Sequence, residues 1–320
     1  MTAAAPLTIV AFALPLGIAL HHPDRVHWQQ AFDRLSSPEL LMPLRQAKLN
    51  ERKTLAATAH SASHEMAWAQ ALGWQVADGL VPLAAGAALS QGLPCPADHG
   101  WAFIDAVNWH ISQGQVNLTV PKPITPDESD ALLLALQTFL AQDGIHLHAW
   151  QPGRWLAHST LFKGLPTVSL DRVNGQRIDA WFEHDSIAEQ NPVQRQLRRL
   201  QNEIQMLFYT HAVNDSRDIA LNSVWFSGTG DLAKDPHASA KPAVVLSDDL
   251  REAWLSQTPD VFIPAFNAVL HDLIVPALRR QEPVLLCEPS RSVLLQAPAS
   301  GWVHQLQAWW RKPTLSEVLQ

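Results

Sequence analysis

The chain has 320 residues, 47% of them hydrophobic, with a net charge of −7 and a pI near 6.1. That length and apolar content suit one large α/β domain or two smaller ones. The acidic balance argues against a nucleic-acid-binding protein with a basic face.

Residues 7–14, LTIVAFAL, read as a buried first strand. The apolar stretch is interrupted at Pro15 and is short of the roughly 20 residues a membrane helix needs. No Lys or Arg precedes it, as a secretory leader would require. The expectation is a cytoplasmic chain with no membrane association. Cys95 and Cys287 are too few for a disulfide framework and read as buried thiols in a reducing compartment.

Helical patterns follow over residues 26–49, broken at Pro38 and Pro43. From Glu51 to Leu72 the chain reads as helix with Gly73 at its C-cap. The Ala-, Gly- and Pro-rich residues 79–100 suggest a short helix and an irregular connection. WAFIDAVNWHI, then Gln113-Gly114, then QVNLTV predicts a β-hairpin. Thr125, Pro126, Asp127 and Glu128 form a strong helix start, and that helix ends near Asp143-Gly144. IHLHAW and RWLAHST are strands around Pro152-Gly153. The order β-β-α-β-β suggests an inserted α+β subdomain over 101–162. Residues 1–100 and 163–320 would then be the two parts of an α/β core.

Residues 192–212 carry apolar side chains at helical spacing. SVWFSGTG follows as a strand and turn, PAVVLS as a short strand, 260–280 as a helix, and VLLCE and SVLLQ as late strands. The tail holds the basic-aromatic AWWRKP, with Trp309, Trp310 and Arg311.

The densest candidate site lies between that long helix and the Gly-x-Gly strand. Glu203, Gln205, His211, Asn214, Arg217 and Asn222 fall within 20 residues, and Gly228 and Gly230 close the strand. Exposed backbone N–H groups at Gly-x-Gly, with Arg217 and His211 nearby, could receive a phosphate. The same side chains could instead fix the helix-to-strand turn, with Asn214 and Asn222 bonding loop backbone.

Three histidine patterns are weaker. His60 and His64 stand at i, i+4, but the HExxH order is absent. His146 and His148 share one strand face with no third ligand apparent, so they read as polar surface residues. Asp98-His99-Gly100 is a three-residue match to a metal-binding run. No nucleophile elbow, GxxxxGK[ST] or GxGxxG occurs.

HAVNDSR followed by LNSVWFSGTG resembles a segment of the archaeal-type cofactor-independent phosphoglycerate mutases, members of the alkaline-phosphatase superfamily. ITPDESDALLLALQTFLAQDGIHLHAWQPGRWL, PTVSLDRVNGQRID and AWWRKP extend a resemblance to RpfE-like bacterial regulatory proteins over about residues 99–312. The resemblance implies a reduced phosphatase-superfamily core. It places His211, Asn214, Arg217 and Asn222 on the substrate side.

The mutases use two divalent metals and a Ser nucleophile. Here the first strand runs into ALPLGIALHH with no acid before Asp24. Asp231, Asp235, Asp248, Asp249, Asp260 and Asp272, with His237 and His271, follow in no recognisable metal-binding order. The expectation is a non-catalytic regulatory or ligand-sensing protein with no cofactor, binding a small anionic or phosphorylated metabolite. A metal-dependent mutase or phosphohydrolase is one alternative, and it alone would need a divalent metal. A protein-interaction module, with a protein partner at the Trp-rich surface or the tail, is the other.

Overall fold

A parallel strand covered on both faces buries consecutive side chains, and Thr8, Ile9 and Val10 are all buried. In the computed structural model β1 (Leu7–Val10) lies between β10 (Val284–Cys287) and β9 (Val244–Ser247), parallel to both. The model describes residues 6–13, 25–33, 43–44, 47–94, 96–112, 114–121, 123–178, 192–232, 244–256 and 258–297. Cys95, most of the first-strand continuation ALPLGIALHH, Asp235, His237 and the AWWRKP tail lie outside them.

The fold is α/β, and the chain forms two compact units. The first comprises residues 1–57, 62–75 and 235–320. Its five-stranded sheet has the order β2-β11-β10-β1-β9, with β2 at Lys48–Thr54 and β11 at Arg291–Gln296. β10, β11 and β2 pair antiparallel. Among its helices are α1 (Arg25–Asp33), α2 (Ser63–Ala71), α7 (Arg251–Ser256) and α8 (Pro259–Val269). A π turn at Leu270–Ile274 joins α8 to α9 (Val275–Arg279).

Pro259–Arg279 is long and apolar enough to cross a membrane. Phe262, Phe266, Leu270 and Ile274 are nonetheless buried in this unit's core, a stripe at steps of four residues. The helix therefore packs as a core element.

The helix expected from Glu51 is corrected. Residues 48–54 form strand β2, and helix begins only at Ser63. KLNERKT carries the Lys and Arg typical of an edge strand, and pairing with β11 overrides its local helical pattern. The end of the helix is as expected, with Gly73 left-handed at φ 75°.

The second unit comprises residues 58–61 and 76–234. It reaches well beyond 101–162 and carries the polar segment. The reason is long-range pairing. β3 (Gly100–Ser112) bonds β6 (Arg154–Ser159) on one side and β8 (Ser223–Gly230) on the other. The sheet has six strands, including β4 (Gln115–Thr119), β5 (His146–Gln151) and β7 (Gln176–Arg177).

α4 (Pro126–Leu140) starts as its sequence dictates. Thr125 Oγ1 accepts from the Glu128 N–H at 3.2 Å, and Glu128 Oε2 accepts from the Thr125 N–H at 2.7 Å. α4 and α6 (Pro192–Tyr209) cover one sheet face, packing on Ala102, Ile104 and Trp155. α3 (Leu83–Ser90) covers the other face at Trp101, Phe103 and Leu156. A short helix, α5 (Leu170–Val173), precedes β7.

Candidate functional site

The expected site divides at β8. At its N-terminal end the polar side chains are engaged with backbone. Asn214 Nδ2 donates to the Phe208 and Leu221 carbonyls at 2.9 Å each, and its Oδ1 accepts from the Leu221 N–H at 2.8 Å. Asn222 bonds Trp109 twice, accepting from its N–H at 2.7 Å and donating to its carbonyl at 2.8 Å. It thereby adds one rung beside β3, which accounts for an amide side chain at that point. His211 Nδ1 accepts from the Val213 N–H at 3.2 Å and caps a 3₁₀ turn at Ala212–Ser216.

Arg217 is a bound cation. Its side chain is 10% exposed and pairs with Glu128 at 2.8 Å. The remaining donors reach the carbonyls of Ile219, Pro121 and Pro123 at 3.3, 3.5 and 3.1 Å. The hydrogen bonds from Thr125 and Arg217, against some desolvation, hold the Glu128 carboxyl below its ordinary range. These contacts use the fork geometry that an anion would need. On α6, Glu203 is exposed and lies 3.6 Å from Arg199 one turn earlier, and Gln205 is half-buried.

Gly228 and Gly230 lie at the far end of the same strand. Six residue steps of extended chain separate Asn222 from Gly228, about 20 Å. Adjacency in sequence therefore does not make one pocket. Both glycines serve close packing. A Cβ on Gly228 (φ 68°) would meet Phe103 Cδ2 at 2.8 Å, and one on Gly230 would overlap the Leu80 carbonyl. Between them Thr229 is fully buried, donating to the Leu165 carbonyl at 2.6 Å. The expected phosphate-receiving turn is thus packed against protein.

That end of the sheet nevertheless carries a cleft of about 390 Å³. Ala85, Leu89, Leu93, Trp101 and Leu232 give it an apolar lining, and Gly230 forms part of its wall. Lys163, His99 and Asp231 supply polar groups. Lys163 Nζ donates to the Ala97 carbonyl at 2.6 Å. An ammonium has three donors, so this bond leaves it capacity for a ligand.

Beside the cleft four imidazoles meet. His146 and His158 are paired residues on β5 and β6, and His158 is paired with Trp101 on β3. Paired residues share a sheet face, and His148 joins them two residues on. The ring of His158 lies 5.0 Å from His146, 5.4 Å from His148 and 5.1 Å from His99. His99 and His158 approach Nδ1 to Nδ1 at 2.8 Å. Desolvation, then the neighbouring His146, His148 and His99, push His158 down to about 4. Desolvation and His146 also lower His148. Of this group, the alternation of His146 and His148 was visible in the sequence. The roles of His158, His99 and Lys163 were not, because β-pairing and a loop approach bring them in.

The other histidine pair separates. His60 precedes α2, lies 3.5 Å from Asp78 and does not share a helix with His64. In the first unit, the C-terminal end of β1 leads into Phe12, which is buried and left-handed at φ 60°. Its ring packs on His64 and Trp254 at 5.3 and 5.4 Å.

No protein-family model and no curated protein matches the chain. Among solved structures it is similar to the PH0037 protein of Pyrococcus horikoshii, at 10% identity and a TM-score of 0.44, covering 93% of this chain and 88% of that one. It is also similar to the cofactor-independent phosphoglycerate mutase of Thermoplasma acidophilum, at 11% identity and a TM-score of 0.31, covering 92% and 90%.

Proposed function

We propose that the protein is a cytoplasmic, non-catalytic ligand-sensing protein of the RpfE-like regulatory kind, on a reduced phosphatase-superfamily core. Its ligand is a small anionic or phosphorylated metabolite held in the cleft beside Gly230. The observation that carries this reading is the pairing of an apolar lining with the Lys163 ammonium and the His99 imidazole in one concave site. Lys163 supplies the charge for the anion. His99 donates a directional hydrogen bond. Asp231, on the same lining, selects ligands that also carry a hydroxyl or amine, because a bare polyanion would meet its carboxylate.

The polar knot at the other end of β8 supports a structural part for Asn214, Arg217 and Asn222, so ligand contact passes to Lys163 and His99.

Calorimetric titration of the full chain with inorganic phosphate and with 3-phosphoglycerate tests the proposal. The expected result is saturable binding that Lys163→Ala weakens at least about tenfold, the loss of one charge-assisted contact. Arg217→Ala should leave that affinity unchanged in the fraction that folds. Absence of binding by both anions, or full affinity in Lys163→Ala, would sink the proposal.

A further inference from the structure

Beyond that reading, we infer that His99, His146, His148 and His158 form a transition-metal site of the zinc class at the open edge of the second unit's sheet. The four side chains come from the loop before β3 and from two adjacent strands, and no fold requirement places four imidazoles together. Their rings surround His158 at 5.0 to 5.4 Å. Histidine rings on a sheet face usually end in water or in a backbone partner. Here His148 Nε2 is buried and has no hydrogen-bond partner among the described residues. A buried nitrogen left in that state is costly, and a cation is one of the few groups that would satisfy it.

The site is not preformed, since no three of the four imidazoles yet hold their ring nitrogens within 4.8 Å of one another, and the rings must turn to close on an ion. Zinc–nitrogen bonds of roughly 2.0–2.1 Å in a tetrahedron separate ligand nitrogens by about 3.3 Å. His99 and His158 already bring two nitrogens to 2.8 Å. Closing on an ion requires side-chain torsions that open this pair and turn the His146 and His148 rings, each stacked on His158, inward. The Nδ1 contact also requires one nitrogen to offer its lone pair, which is the ligating form.

The donor set chooses the ion. Imidazole nitrogens suit Zn²⁺, Ni²⁺ and Cu²⁺, whereas Mg²⁺ and Ca²⁺ take oxygen ligands. His146 is exposed on edge strand β5, so an ion can enter from solvent. Trp101, packed at 5.0 Å from His158 and 5.5 Å from His148, walls the site on its inner side. Its location beside the cleft gives the metal a structural means to sense or shape what the cleft holds, through His99.

The test uses full-length, untagged protein stripped with a chelator and titrated with Zn²⁺, with Mg²⁺ as control and Co²⁺ as a visible-absorption probe. One Zn²⁺ per chain at micromolar affinity or tighter is expected, with a tetrahedral Co²⁺ spectrum and no Mg²⁺ binding. His158→Ala and His148→Ala should each weaken Zn²⁺ at least about 100-fold, more than the loss of a supporting group would. His146→Gln, on the exposed edge where the fold is least at risk, should weaken it at least about tenfold. Exposed His271→Ala should change nothing, and neither should Lys163→Ala, which separates this site from the cleft ligand. Absence of Zn²⁺ binding overturns the inference. So does Zn²⁺ affinity that stays within tenfold of the parent in both His146→Gln and His148→Ala.

Discussion

The two ends of β8 carry similar numbers of polar side chains and use them in opposite ways. At the Ser223 end, Asn214 and Asn222 make five bonds to main-chain groups, and Arg217 reaches one carboxylate and three carbonyls. At the Gly230 end, Lys163 keeps donor capacity and His148 keeps a buried nitrogen with no partner. A dense polar cluster in sequence is therefore a weak guide to a binding site. Unspent hydrogen-bonding capacity is the better guide, because a satisfied group must break a bond before it can bind a ligand.

The comparison breaks most sharply at Arg217. Replacing it with Ala leaves the Glu128 carboxylate without its cation and removes bonds to three carbonyls, two of which are open to water. The expected loss is about 2 kcal/mol of stability by denaturant titration. Arg217→Lys should recover little of it, since an ammonium cannot span four acceptors set in a fork. A loss below about 1 kcal/mol would mean that this end of β8 is held by packing alone, and would reopen Arg217 as a ligand contact.

The histidine end responds to acid. His158 has an ordinary value of 6.5 and stands near 4 in the folded chain, through burial first and then His146, His148 and His99. Between those values the unfolded chain binds a proton that the folded chain refuses. Stability is then complete above about pH 6.5 and falls as pH drops toward 4. The site is half open to solvent, so the cost is on the order of 1 kcal/mol once screening is allowed for. Comparing the metal-free parent with His158→Asn by thermal melts across this range isolates the group. Parallel pH profiles would show that His158 titrates normally.

Local signals carried much of the second unit. The Thr125–Glu128 capping box, the pairing of Ser112 with Gln115 beside Gly114, left-handed at φ 76°, and the strands around Pro152 all follow from short-range chemistry. The Gln151–Arg154 turn alone would set Leu147 opposite His158; a bulge between Ala149 and Gln151 sets His146 there instead, so that pairing was not legible in the sequence. Other features depend on contacts remote in sequence. β8 joins β3 across more than 100 positions, which extends the unit far past residue 162. β2 is a strand because β11 pairs with it. His99 reaches His158 only through the loop before β3, and Gly-x-Gly looked like a phosphate turn because sequence does not show Leu80 and Phe103 packed on it.

The smallest predicted effect has the most telling sign. In metal-free protein, His148→Val should raise stability by up to about 1 kcal/mol, where Asn214→Ala or Arg217→Ala lowers it. Valine removes a buried nitrogen that lacks a partner among the described residues, relieves the crowding around His158 and suits a strand position. Adding Zn²⁺ should reverse the order, because the parent gains binding free energy that the variant has lost. Melting temperatures of both proteins, with and without the ion, decide the matter. If His148→Val is less stable in both conditions, the histidine contributes packing, and the two ends of β8 are alike after all.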